Sequence, residues 1–542
     1  MDTSNQVKIF DTTLRDGQQC PGAGMSFEDN LTYARLAAEL GVDALEAGFP
    51  SASDLDFEIV HTIAQQLASL ETSPIVVALC QLRDEQIDRT IESLLPAIPL
   101  KRARLHTYIP VDPGLMSASL GSRADQKGKI VEDLATYVAR AVSAGVSVEF
   151  SPEGYSRMGE NFDFVTDLIR AAISAGAAVI NCPDTIGSAY RLQGPEYFVE
   201  KIKLHAQIMD REFPGNSVTW SVHCHNDFGL AVDNSLNGIF FGPARQIEGC
   251  INGVGERAGN AALEQCILLI KHFSDMAPSG QTSPLFTGVR SEMLQEVSDF
   301  IDKHMLKRQA HWPIVGRNAA CHSSGGHTNA ILRNPLVYQP FDPKEIGGEI
   351  TLAFGPLSGG NHAKSIINAC GYECSDAEKS DVAQHIKVFF KQRRKGITDE
   401  ELMLAYFDYR KPIKAESIDY SKTSQKSQVS LLGGFFSKKG EVRGEHQGKD
   451  SALAALKALI DEHIPGLSIQ SHRSRSKGEG VHAVSASTIV VSDGKESWEG
   501  RGEDQDIEIS AMRALIDAVN RCYIQKTFRL SAGEQDNREV KS

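Results

Sequence analysis

The run His223-Cys224-His225-Asn226-Asp227 sets two imidazoles at i and i+2. In an extended strand such a pair projects from one face and can grip a single metal ion. Ordinary packing also produces His-x-His pairs, so the metal reading needs support from elsewhere in the chain. It comes from residues 8–17, Lys-Ile-Phe-Asp-Thr-Thr-Leu-Arg-Asp-Gly, which read as a strand that delivers Arg15 and Asp16 side by side ahead of a turn.

Those two ends of the chemistry lie some two hundred positions apart, and a repeating framework must bring them together. Short β-rich runs recur at roughly 30-residue intervals with helical patterns between them, the signature of βα units and a parallel sheet. Eight are present, at 8–14, 44–49, 75–80, 103–109, 147–151, 177–182, 218–223 and 246–251. Eight strands over a stretch of this size predict a (β/α)8 TIM barrel, whose active sites gather at the C-terminal strand ends. The polar residues obey that rule. Arg15 and Asp16 end the first strand, Glu46 the second, and His106 lies in the fourth. Glu149 and Glu153 flank the end of the fifth, Asp184 and Thr185 follow the sixth, and His223 and His225 close the seventh. A Gly-rich loop, 252–260, follows the eighth and opens a helix.

Between the strands the helices are conventional; in 27–40, Leu31, Ala34 and Ala38 supply the apolar stripe that packs on a barrel. The barrel is assigned to 1–288 and a mostly helical linker region to 289–426, including helices at 289–308 and 382–394. A Ser- and Lys-rich stretch, 419–428, reads as a flexible joint. A separate α+β module occupies 427–530, with strands at 429–437, 467–472 and 484–491 and helices at 451–463 and 509–519. Its Gly433-Gly434 and Gly500-Arg501-Gly502 spots read as tight turns. Residues 531–542 form a polar tail.

A chain of 542 residues with 41% hydrophobic and 23% charged residues has the composition of a multidomain globular enzyme. Its net charge of -14 argues against nucleic acid as the main partner. The ten cysteines include no Cys-x-x-Cys pair and sit mostly in apolar segments, as expected of reduced thiols in a cytoplasmic protein. Neither a signal peptide nor a membrane span is expected.

Several motifs together carry a family resemblance: Leu14-Arg15-Asp16-Gly17-Gln18-Gln19, Glu46-Ala47-Gly48-Phe49-Pro50, Glu149-Phe150-Ser151-Pro152-Glu153, Pro183-Asp184-Thr185, the His223 to Asp227 run and Gly255-Glu256-Arg257-Ala258-Gly259-Asn260. The chain resembles, over nearly its whole length, the 2-isopropylmalate, homocitrate and citramalate synthases, metal-dependent barrel acyltransferases. Residues 46–57 and the C-terminal module are most similar to the 2-isopropylmalate synthase branch. That resemblance implies a Claisen condensation of acetyl-CoA with 3-methyl-2-oxobutanoate followed by thioester hydrolysis, the first step of leucine biosynthesis. It also implies a homodimer or higher homo-oligomer and a regulatory last domain that binds leucine.

The same resemblance assigns roles. Asp16, His223 and His225, with Asn260 as fourth ligand, would hold a divalent ion: zinc, manganese or magnesium. Arg15 would hydrogen-bond the developing alkoxide. Glu46 and Glu153 would orient Arg15 and the oxo acid, and Thr185 would contact the substrate carboxylate. Gly253, Gly255, Glu256 and Asn260 would border acetyl-CoA. For the base, the barrel interior offers mainly His106, also a substrate contact, whereas the resemblance points to His327, reaching in from the neighbouring subunit with Tyr338 as companion. His311, His322 and His362 are read as structural.

This chain departs from the family pattern at three places. Ser324-Gly325-Gly326-His327-Thr328-Asn329 carries an amide where the family usually has an acid. Pro110-Val111-Asp112-Pro113-Gly114 replaces the usual Ala-Thr-Ser run, and 472–480 is unusually polar. Citramalate or homocitrate synthase, a hydroxymethylglutaryl-CoA-type lyase and a non-catalytic metal- or amino-acid-sensing barrel are the alternatives. The module after 429 weighs against the lyase.

Overall fold

The computed structural model describes residues 5–70, 73–274, 284–391, 393, 396–436, 438–447, 451–478 and 483–530. The polar tail expected at 531–542 lies outside them. The chain divides into two compact units, one of 1–320 with 341–350 and one of 321–340 with 351–542.

All eight expected strands form, and they close into a parallel barrel in chain order. They are β1 (Lys8–Asp11), β2 (Ala44–Gly48), β3 (Ile75–Cys80), β4 (Ala103–Pro110), β5 (Ser147–Glu153), β6 (Val179–Asp184), β7 (Thr219–Cys224) and β8 (Gln246–Gly249). Closure is the pairing of β1 with β8, Lys8 opposite Gln246 and Asp11 opposite Gly249. Buried on both faces, such strands must be apolar almost throughout, and β3, Ile-Val-Val-Ala-Leu-Cys, shows why the run was legible. The outer ring comprises α1 (Phe27–Leu40), α2 (Asp54–Ala68), α3 (Asp84–Ser93), α4 (Pro113–Leu120), α5 (Lys127–Ser143), α6 (Phe162–Ser174), α7 (Phe198–Glu212), α8 (Ala231–Phe240) and α9 (Leu263–Phe273). Helix α1 starts at a Ser26/Asp29 capping box and stops at Gly41, whose φ of 88° is left-handed. Beyond the barrel α10 (Leu294–His304) packs in the same unit, shorter than the expected 289–308 because 291–293 forms a 3-10 turn.

The first strand is shorter than expected. It ends at Asp11, and the amides of Arg15, Asp16 and Gly17 all turn back onto the Thr12 carbonyl, at 3.0, 2.9 and 3.2 Å. Arg15 and Asp16 therefore leave from a tight turn above the barrel wall instead of from the strand itself.

The second unit begins with the two-residue strands β9 (Cys321–His322) and β10 (Thr351–Leu352) and helices α11 (Gly325–Ile331), α12 (Gly360–Ala369), α13 (Lys379–Phe389) and α14 (Asp399–Arg410). Ile366, Val382, Ile386, Leu402 and Tyr406 form their core. Then comes a motif that occurs twice, three antiparallel strands followed by a helix. The first copy is β11 (Ile413–Lys422), β12 (Lys426–Phe435), β13 (Lys438–Gln447) and α15 (Ala452–Asp461); the second is β14 (Ser468–Lys477), β15 (Val484–Ser492), β16 (Ser497–Asp504) and α16 (Ile507–Phe528). One aliphatic core, including Val429, Leu456, Ile489 and Leu515, joins the two copies.

Here the sequence reading needs correction. The stretch 419–428 is no joint: it is the end of β11, a turn and the start of β12, paired from Ile413↔Phe435 to Lys422↔Ser427. The sheet module consequently starts at 413, not 427. The glycine spots are not turns either. Gly433 and Gly434 lie inside β12, and Gly500 and Gly502 inside β16, where an added Cβ would fall 2.2 Å from Ala514 O and 2.3 Å from Ser510 O of α16. These glycines let a helix lie directly on a strand.

Candidate active site

At the C-terminal mouth of the barrel, Asp16, His223 and His225 converge so that one ligand atom from each lies within 4.8 Å of the others. His223 ends β7. His225 sits one residue past it, held by a bridge to Asn260 in the loop after β8. Their Nε2 atoms face each other at 3.1 Å, and His223 Nε2 is 3.6 Å from Asp16 Oδ2. All three residues are buried, and Asp16 Oδ1, His225 Nδ1 and Asn260 Oδ1 have no hydrogen-bond partner. Burying such atoms unpaired is costly. A carboxylate and two imidazoles on one spot fit a divalent cation, and Asn260, bridged to His225, stands next to them.

The charges around them reinforce this fit. Burial alone would raise the Asp16 carboxyl, but Arg15 and the two histidines outweigh it and hold it well below the usual carboxylate range. Burial and the neighbouring His223 push His225 down to about 4, so its ring is neutral and offers a lone pair at neutral pH.

Arg15 is the centre of a buried ion network. Its Nε donates to Glu46 Oε2 at 2.5 Å, Nη1 to Asp16 Oδ2 at 3.0 Å and Nη2 to Glu248 Oε1 at 3.4 Å. Three contacts leave donors of the guanidinium fork free to face the cavity. Beneath it, His106 Nδ1 pairs with Glu46 Oε1 at 2.8 Å and its Nε2 with Ser151 Oγ at 2.8 Å. Asn181 Nδ2 donates to Glu248 Oε2 at 2.6 Å and to Ser151 Oγ at 3.0 Å. Burial opposes a charge on His106, yet Glu46, Glu248 and Glu149 hold its pKa at about 9. A ring that keeps its proton and has both nitrogens engaged is a poor base, which removes the in-barrel candidate. A third layer, Arg104, Glu149, Gln246 and Ser221, fills the barrel below: Arg104 Nη1 donates to Glu149 Oε2 at 2.9 Å, and Gln246 Nε2 to Glu149 Oε1 at 2.8 Å and Ser221 Oγ at 3.0 Å.

Above these layers opens a cavity of about 180 Å³, lined by Arg15, Asp16, His223 and His225 and also by Leu79, Tyr108 and Pro183. Glu153, Thr185 and Glu256 also border it. Burial raises the Glu153 carboxyl against the pull of Arg15. Thr185 Oγ1 accepts from Gly154 N at 2.9 Å, locking the loops after β5 and β6 together. The loop 253–260 folds back on itself, Asn260 N donating to Gly253 O at 3.0 Å, and an added Cβ on Gly255 would meet Asn260 Nδ2 at 2.2 Å.

Of the residues singled out from sequence, Arg15, Asp16, Glu46, His106, Glu153, Thr185, His223, His225 and the 253–260 loop meet at this mouth. Two polar residues take other parts. Asp184 is buried as a structural anchor, accepting from Ser156 Oγ at 2.7 Å and Ala189 N at 2.9 Å, and Glu149 lies in the lowest layer. His327 and Tyr338 belong to the second unit, where their rings stack with centroids 3.9 Å apart and both are exposed. His322 lies beside them, 6.0 Å from His327, and accepts from Gln339 Nε2 at 2.8 Å. His362 is buried against Ser358, consistent with a structural role. Missed altogether were Glu248 and Asn181, and Ser151 was noted only as part of a motif. An acid in the short strand Gln-Ile-Glu-Gly is the one signal that points to Glu248.

Residues 6–301 match the HMGL-like family, 314–394 the homocitrate synthase post-HMGL domain-like family, and 404–523 the LeuA allosteric (dimerisation) domain. The chain is 33% identical over 532 residues to the 2-isopropylmalate synthase of Rhodopseudomonas palustris (strain HaA2), covering 96% of this chain and 95% of that one. It is also 33% identical over 543 residues to the 2-isopropylmalate synthase of Oceanobacillus iheyensis, covering 97% and 99%. Barrel, post-barrel segment and duplicated sheet module each find their counterpart in the same order, and the chain belongs to the 2-isopropylmalate synthase family.

Proposed function

We propose that this protein condenses acetyl-CoA with 3-methyl-2-oxobutanoate and hydrolyses the resulting thioester, making 2-isopropylmalate. The carrying observation is the convergence of Asp16, His223, His225 and Arg15 on a cavity that Leu79 and Tyr108 also line. At about 180 Å³ it has room for about six waters at roughly 30 Å³ each, the scale of a short branched oxo acid.

Asp16, His223, His225 and Asn260 would hold a divalent cation, which polarises the ketone of the 2-oxo acid when bound. Arg15, fixed by Glu46, Asp16 and Glu248, keeps donors pointed at the oxygen on which negative charge develops, and needs no rearrangement to do so. His106 and Glu46 hold Arg15 from below. Thr185 borders the end of the cavity suited to a carboxylate, and Leu79 and Tyr108 the end suited to an isopropyl group. Removal of the acetyl methyl proton is assigned to His327 with Tyr338, whose solvent-facing stack is free to meet a second copy of the chain, in keeping with a dimerisation domain. Asn329 replaces the family's acid beside this base and accepts from Asn361 Nδ2 at 2.7 Å, so His327 lacks a neighbouring charge on that side.

The C-terminal module contains a groove of about 900 Å³ bordered by Ile418, Leu432 and Ile516 together with Lys414, Glu416 and Arg513. An apolar floor between both signs of charge suits an aliphatic amino acid, and leucine is the effector assigned to it.

The decisive assay is release of free CoA thiol from acetyl-CoA by the metal-loaded protein with a panel of 2-oxo acids. The highest kcat/KM is expected with 3-methyl-2-oxobutanoate, and leucine should lower the rate. A tenfold preference for pyruvate or 2-oxoglutarate would reassign the substrate.

A further inference from the structure

The loop that carries Asn260 is not held by the barrel alone. Asn252, which opens it, is a non-glycine residue in the left-handed region, φ 58° and ψ 16°. Such a conformation is uncommon for a side-chain-bearing residue and persists only where the surroundings hold it. Three groups do so here. Asn252 N donates to Glu264 Oε2 at 2.9 Å, its Nδ2 donates to the Ser298 carbonyl of α10 at 2.9 Å, and its Oδ1 accepts from the Ser298 hydroxyl. Arg308 in turn donates to that hydroxyl.

Glu264 is the hub. Its side chain is fully buried at the start of α9, and its second oxygen, Oε1, accepts from Trp312 Nε1 at 2.9 Å. One carboxylate thus joins the loop after β8 to a segment some fifty residues further on. Trp312 also covers the loop, since an added Cβ on Gly253 would lie 3.2 Å from its ring. From Asn252 the path to the metal site is short: Asn260 N donates to Gly253 O at 3.0 Å, and Asn260 Nδ2 to Val254 O at 3.0 Å, which turns the unpaired Oδ1 away from the loop.

We infer that Glu264 is a positioning residue for the cation site, acting through Asn252, Gly253 and Val254 on Asn260, with Trp312 from the post-barrel segment completing the brace. The inference rests on the metal site proposed above. Partners that orient a ligand from behind typically account for 10- to 100-fold in metal affinity when removed. Glu264→Gln presents an amide donor to one of two N–H groups that need an acceptor, and Trp312→Phe removes one of the two bonds while keeping the ring.

The test is the dissociation constant for Zn²⁺, measured on the purified full-length protein by competition with a chromogenic chelator. Glu264→Gln is expected to weaken binding about tenfold or more and Trp312→Phe several-fold, while Ile267→Val, a packing change on the same helix, leaves it within twofold. Unchanged affinity in both Glu264→Gln and Trp312→Phe would overturn the inference, and so would an equal loss in Ile267→Val, which would mean that any loosening of α9 has the same effect. If the wild-type protein itself failed to bind Zn²⁺, the metal site as a whole would be wrong, a result distinguishable from the other two.

Discussion

The barrel and the duplicated C-terminal module bury different things. Inside the barrel, Asp16, Arg104, His106, Glu46, Glu149 and Glu248 are all at most 4% exposed, and each is matched by a partner of opposite charge or by a hydrogen bond. In the described part of the C-terminal module the buried polar groups are Ser427, Ser487, Ser492, Ser510 and Asn520, none of them charged, in a core of aliphatic side chains. Buried ion networks are weak contributors to net stability. The barrel therefore owes its stability to the apolar layer between strands and helices, and its interior charges serve the site. In the module nearly everything buried serves folding.

That contrast can be broken most directly at the proposed metal ligands. Replacing His223 and His225 together by alanine should remove several kcal/mol of transition-state stabilisation, about a thousandfold in CoA release, while circular dichroism stays native. An unchanged rate would show that the interior charges are not there for chemistry. Next in size is Glu248→Gln. It takes one of three carboxylate partners from Arg15 and the nearer of two from His223, and should lower barrel stability by about 2–3 kcal/mol in denaturant unfolding. In the module the same logic predicts packing, not charge, as the sensitive variable. Gly500→Ala, whose Cβ would fall 2.2 Å from Ala514 O and Ala518 N, should cost about 1–3 kcal/mol with basal CoA release unaltered.

The smallest expected effect concerns His205 on the outer wall of the barrel. It is enclosed between Tyr155 OH at 2.6 Å, Thr166 Oγ1 at 3.0 Å and the stacked Phe162 ring, and burial, aided by Lys201, pushes its pKa down to about 4. Folding disfavours its proton, so its contribution is complete above the unfolded value near 6.5 and is lost as pH falls towards 4. The expected loss at pH 5.5 is about 1.2 kcal/mol relative to neutral pH, read from denaturant midpoints and reduced in His205→Gln. A flat profile between pH 7 and 5 would contradict it.

What could be read from sequence follows the same division. A strand buried on both faces and facing no polar layer is an apolar run, and Ile75 to Cys80 was visible with its bounds for that reason, whereas strands such as Gln246 to Gly249 were placed by the recurring spacing of strands and helices. Arg15, Asp16, Glu153, Thr185 and His225 were visible because they stand at or just past the strand ends. Glu248 and Asn181 point inward from mid-strand, as Glu46 and His106 do, but they fell in no motif that drew attention to them. In the module, β11, β13 and β16 carry Lys, Glu and Arg on their solvated faces, so Lys-Lys-Gly-Glu-Val-Arg-Gly-Glu-His-Gln has no apolar alternation to betray a strand. Gly433, Gly500 and Gly502 were misread because close approach by another segment and a turn leave the same mark in one dimension.

The Arg104, Glu149, Gln246 and Ser221 layer stoppers the barrel at its far end. In the proposed condensation that bung closes the chamber from below, so the reactant seated next to the proposed cation ligands is expected to enter ahead of its companion and its product to leave last.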